Sequence, residues 1–196
     1  WWDEANAYLA EDEILGPVVH SYPNENLVGK GDLFSTLVRS IVGQQISVIA
    51  ADAVWGRLVE LIGEVTPEAI RPFSPEELAP CGLTRSKSSY IHGLAMDSEA
   101  FLQPNWDEFT DKELLKHFTA FRGIGPWTSE MILIFTLMRP DVFSIGDIGL
   151  IRAVQKLVPE ADSKGKVLEI SKRWMPYRTA ASWYLWRMLD PVPVEY

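Results

Sequence analysis

Asp147 is the residue whose setting most invites chemistry. It is the lone charge in Phe143-Ser144-Ile145-Gly146-Asp147-Ile148-Gly149-Leu150, where a helical pattern begins. A carboxylate there can simply accept amide N–H groups as a helix cap. Left ionised, it can also stabilise a developing cation or orient water. About twenty residues earlier comes Phe121-Arg122-Gly123-Ile124-Gly125-Pro126-Trp127-Thr128. Gly-hydrophobic-Gly between two helical stretches makes a hairpin. Its glycines allow positive φ and let the backbone approach a phosphate. The amides that open the next helix can then bind that phosphate. The plain alternative is a packing corner that binds nothing, with Ile124 plugged into the core. The eight tryptophans are the third feature, because an aromatic face attracts a cation by ~0.5–2 kcal/mol. Trp55 and Trp106 read as core; Trp127, Trp183 and Trp186 read either as core or as pocket walls.

These residues need elements to hold them, and the pattern is helical almost throughout. Leu37, Val38, Ile41 and Val42 share one helical face, which Gly43 interrupts. Ser47 can cap a second helix that runs to Leu61 and ends at Gly63. Thr66-Pro67-Glu68 and Ser74-Pro75-Glu76-Glu77 each read as a cap, a proline in the first turn and acids at the positive end of the dipole. Further helices are predicted at about 86–96, 111–121, 127–137, 147–157, 163–174 and 178–189. No run alternates cleanly over six residues. The fold class is therefore all-α, with nine or ten short helices in two lobes. Residues 1–33 with about 150–196 would form one lobe. Residues from about 34 to 149 would form the other, with the helix–hairpin–helix at 111–138. Glu11-Asp12-Glu13 reads as a solvated helix start and Cys81 as a small buried residue.

Composition excludes several classes. With 47% hydrophobic and 23% charged residues, the chain can bury a core. The single Cys81 excludes a disulfide framework and a four-cysteine zinc or iron–sulfur site. His20, His92 and His117 are scattered, so no metal site is expected. No apolar run reaches the ~18 residues a membrane span needs, and the first residues lack a signal-peptide pattern. The expectation is a soluble monomer, cytoplasmic and nucleoid-associated or nuclear. The net charge of −9 speaks against nucleic acid, but its distribution does not. Twelve of the 18 Lys and Arg lie between Lys112 and Arg187, against seven acids. That asymmetry suits one face for a polyanion, although ordinary charge scatter also produces it.

Taken together, four blocks resemble the helix–hairpin–helix DNA glycosylase superfamily, and within it the 3-methyladenine DNA glycosylase II branch. They are Ile41-Val42-Gly43-Gln44-Gln45-Ile46-Ser47 with Ala50-Ala51, Gly82-Leu83-Thr84-Arg85-Ser86-Lys87, the hairpin through Trp127 and Thr128, and Asp141-Val142-Phe143 through Leu150. Arg173 to Arg178 with Trp186 makes a fifth, and the likeness spans roughly residues 34 to 188. The resemblance implies that Asp147 is the catalytic aspartate. Trp127 falls where bifunctional members carry a lysine, so the enzyme would leave an abasic site without lyase chemistry. Gln45 falls on the residue that wedges into the stack, where a Leu is familiar. Trp127 and Trp186 fall on the base pocket, with which Gln44 is grouped. An N-terminal β domain and iron–sulfur cysteines are not expected.

The chemistry agrees with this. N-glycosidic cleavage passes through a sugar of oxocarbenium character, which a carboxylate near C1′ stabilises. A purine alkylated at N3 or N7 is already cationic and leaves easily. The target lies inside the duplex and must be flipped out. Gln44 and Gln45 could fill the gap or hydrogen-bond the orphaned partner; the bland reading is a solvated turn. The expected partner is double-stranded DNA with a damaged base. Its contacts would be Gln45, Gly123, Gly125, Thr128, Arg85 and Lys87. No cofactor is needed, though hairpin carbonyls could hold a monovalent cation. The reading is excision of alkylated purines, 3-methyladenine first and 7-methylguanine second. The alternatives are a non-catalytic helix–hairpin–helix module or a glycosylase for neutral mismatched or deaminated bases.

Overall fold

The computed structural model describes residues 1–29, 32–102 and 105–190. Residues 191–196, expected in the terminal lobe, lie outside them. Every regular element among the described residues is helical. In chain order they are α1 (Trp2–Ala10), α2 (Gly16–Ser21), α3 (Leu33–Gly43), α4 (Val48–Ile62), α5 (Pro67–Ile70), α6 (Pro75–Leu78), α7 (Arg85–Met96), α8 (Ser98–Phe101), α9 (Asp111–Thr119), α10 (Pro126–Phe135), α11 (Ile148–Leu157), α12 (Lys164–Ser171) and α13 (Arg178–Leu189). Three 3₁₀ turns join them. This exceeds the nine or ten expected. The additions include one-turn helices such as α8, too short to show a period. None of these helices is long and apolar enough to cross a membrane.

Local chemistry sets the boundaries. Asp32, Ser47, Thr66, Ser74, Thr84, Thr110, Asp147 and Ser163 each accept a first-turn amide of the helix they precede. Ser74 with Glu77 and Thr110 with Glu113 form full capping boxes.

The described residues divide into two compact units, residues 1–29 with 133–190, and residues 32–132 between them. The division falls inside α10 rather than near residue 149. The segment after α10 hydrogen-bonds to α13, so Asp147 belongs with the terminal helices. In the first unit, Leu9, Leu15, Leu150, Val154, Trp174, Trp183 and Tyr184 are buried. Trp183 packs edge-on against Trp2, with centroids 5.6 Å apart, so it is a core residue. In the second unit the core holds Phe34, Leu37, Ile41, Leu58, Ile91, Phe101, Phe118 and Ile124. Cys81 is buried there as expected, and burial pushes its thiol pKa up.

Asp12 does not open a solvated helix. It follows α1, and its side chain is only 9% exposed. Its carboxylate accepts from Ile14 N and Leu15 N at 3.0 and 2.9 Å, from Trp174 Nε1 at 3.3 Å and from Arg173 Nε at 3.1 Å. Burial alone would raise its pKa, but these donors, the Leu15 amide foremost, hold it below the ordinary value of 3.8. A depressed carboxylate contributes stability above its unfolded pKa and loses it as pH falls through the folded one. Asp12→Ala should therefore cost about 2–3 kcal/mol at pH 7, lowering Tm by roughly 5–10 °C. Melting curves should show that deficit narrowing below about pH 4; an equal deficit at pH 3 and pH 7 would refute the role.

Candidate functional site

The first unit holds the candidate catalytic group. Residues 136–147 carry no helix or strand and end at Asp147, the N-cap of α11. Asp147 Oδ1 accepts from Leu150 N at 2.8 Å and from Trp186 Nε1 at 3.1 Å. The carboxylate is half-buried. It is thus a cap, as the plain reading has it, and it is also gripped by an indole on another helix. Gly149 leaves the room for this: a Cβ there would lie 2.9 Å from Asp147 Oδ1. Trp186 is only 7% exposed and stacks on Phe135 at 5.6 Å. One ring face is therefore covered, and the N–H is committed to Asp147.

The second unit holds the hairpin. Gly123 has φ +90°, and a Cβ there would meet the Tyr90 ring at 2.5 Å. Gly125 differs from expectation. It lies outside the positive-φ glycines, and a Cβ on it would touch nothing within 4 Å. Ile124 plugs into the core, 4% exposed, and its amide donates to Phe121 O at 3.2 Å. The Thr128 side chain is buried, 3% exposed, so what this residue can offer a phosphate at the start of α10 is its backbone amide. Trp127 is half-buried in the same turn.

The α3–α4 turn lies beside the hairpin. Gln44 Nε2 donates to Gly123 O at 3.0 Å, which commits the amide expected at the base pocket to bracing the hairpin. Lys87 Nζ donates to Val42 O at 2.9 Å and to Gln44 O at 2.7 Å. It caps the carbonyl end of α3 rather than pointing at a phosphate, and burial lowers its pKa. Lys87 and Tyr90, one turn apart on α7, thus support both loops. Neither role is visible in local sequence. Gln45 is exposed with φ +58°, an uncommon backbone state for a residue with a side chain. Ile49 beyond it is 83% exposed, and Arg85 is exposed at the start of α7. Among the described residues no three His, Cys, Asp or Glu cluster as for a metal.

The pattern of the HhH-GPD superfamily base excision DNA repair proteins matches residues 38–176. The chain belongs to that superfamily. Its HhH-GPD region includes the α3–α4 turn, the hairpin and Asp147. DNA-3-methyladenine glycosylase 1 of Schizosaccharomyces pombe is 32% identical over 181 residues, 88% of this chain and 79% of that protein. The crystal structure of a DNA-3-methyladenine glycosidase from Bacillus halodurans superposes with TM-score 0.82 at 34% identity, covering 94% of this chain and 88% of that one. The S. pombe 3-methyladenine DNA glycosylase in complex with abasic DNA gives TM-score 0.81 at 28% identity, covering 98% and 100%.

Proposed function

We propose that this HhH-GPD protein is a monofunctional DNA glycosylase that excises alkylated purines, chiefly 3-methyladenine and also 7-methylguanine, from double-stranded DNA. One observation carries the reading: the Asp147 carboxylate is fixed at a helix start by an amide and by the Trp186 indole. The named activities of its relatives support it. In this mechanism the damaged nucleotide leaves the stack, and Gln45 enters the space it vacates. Hairpin amides hold a backbone phosphate. Asp147 stands by C1′, stabilises the oxocarbenium and orients the attacking water. The alkylated base leaves without strong general-acid help because it already carries positive charge. Trp127 occupies the position at which lyases of the superfamily carry their amine, so no Schiff base forms. The chemistry calls for no cofactor, and the protein acts as a monomer in the compartment that holds its DNA.

The test is to incubate the protein with methylated duplex and identify the free bases. Release of 3-methyladenine and 7-methylguanine is expected, with strands intact until alkali and no adduct trapped by borohydride. Binding without release would leave a DNA-binding module. Release only of neutral deaminated bases would move the substrate class.

A further inference from the structure

Four residues of α13 form a stripe, at positions 178, 179, 182 and 186, that meets the segment carrying Asp147. Arg178 forks onto Asp141, with Nε to Oδ1 at 2.7 Å and Nη2 to Oδ2 at 2.9 Å. Its Nη2 also donates to Asp141 O at 3.1 Å and its backbone N to Oδ1 at 3.3 Å. Thr179 N donates to Pro140 O at 3.0 Å, and Thr179 Oγ1 donates to Arg139 O and accepts from Val142 N at 3.0 Å. Ser182 Oγ donates to Arg178 O at 2.8 Å and packs 3.4 Å from Val142 O. Trp186 closes the row on Asp147. Backbone groups of residues 139–142 and the Asp147 carboxylate, in a segment without secondary structure, are thus held by one helix face. Thr179 and Ser182 are wholly buried. Arg178 and Asp141 are about one-fifth exposed, so their fork is shielded and bidentate, the geometry in which an Arg–carboxylate pair fixes orientation as well as charge.

We propose that the Asp141–Arg178 pair is a positioning device for base excision, registering the 139–147 segment on α13 so that Asp147 reaches C1′. The proposal rests on the reading of Asp147 as the catalytic carboxylate. Arg178 touches no reacting atom; it acts through the placement of Asp147, and rate is steeply sensitive to such placement, with about 1 Å costing on the order of 10²-fold. Lysine supplies the charge but not the fork.

The experiment measures single-turnover 3-methyladenine release and affinity for a duplex with a non-cleavable abasic analogue, in Arg178→Lys, Asp141→Asn, the double variant and Asp147→Asn. Arg178→Lys and Asp141→Asn should each lower the release rate about 10- to 30-fold with affinity within about twofold. The double variant should lose no more than the worse single one, because both break the same pair. Circular dichroism confirms that the proteins compared are folded. Loss of rate in Asp147→Asn alone, with Arg178→Lys unchanged, overturns the positioning role. So does a rate loss that merely follows the unfolded fraction. Unchanged release in Asp147→Asn instead overturns the catalytic reading beneath it.

Discussion

Asp147→Asn should lower the single-turnover rate of 3-methyladenine release by about 10²–10³, with the fold and the affinity for abasic-analogue duplex retained. The substitution isolates charge from structure. An asparagine oxygen can still accept from Leu150 N and Trp186 Nε1, as Asp147 Oδ1 does, so the cap on α11 survives. What disappears is the negative charge that the oxocarbenium needs. Asp147→Ala confounds the two, because losing the cap costs about 1 kcal/mol and leaves the buried indole N–H without its acceptor. Free-base analysis under excess enzyme, with melting curves, separates them. A folded Asn variant that releases 3-methyladenine at the wild-type rate would mean that another group stabilises the sugar cation.

The parts of this site that were legible in sequence are those whose physics is local. Caps, glycine breaks and first-turn prolines placed most helix ends, and α13 runs from Arg178 to Leu189 as expected. Asp147 and the hairpin stood out because glycine, proline and a lone acid are short-range signals. The partners that matter most are distant. Gln44 finds Gly123 79 residues on, Lys87 finds Gln44 43 residues back, and Asp12 meets Trp174 162 residues away. No spacing rule encodes such pairs, so a lysine that caps a helix end read as a phosphate contact. The pairing inside the basic stretch is equally long-range. Arg173, Arg178 and Arg187 pair with Asp12, Asp141 and Glu25, so that stretch is partly neutralised within the protein.

Gly125→Ala should weaken binding to abasic-analogue duplex about tenfold while leaving stability within about 0.5 kcal/mol of wild type. The two hairpin glycines make this a clean contrast. At Gly125 the protein itself has room for a methyl group, with nothing within 4 Å, and the backbone is not in the positive-φ set. A loss of affinity there reports the approach of something outside the protein, and the loss of one phosphate–amide bond is worth about a factor of ten. At Gly123 a methyl group meets the Tyr90 ring at 2.5 Å with φ +90°. Gly123→Ala should therefore cost stability, about 2–4 kcal/mol, before any DNA is added. Salt dependence adds a second axis. Amides carry no charge, and several cations of the basic stretch already face carboxylates, so log K against log salt should have a shallow slope, roughly −2 to −4. Gly125→Ala removes no charge and should shift that line down without tilting it. A folded Gly125→Ala protein that binds as wild type would place the phosphate grip outside the hairpin. A steep slope would place it on side-chain cations such as the exposed Arg85.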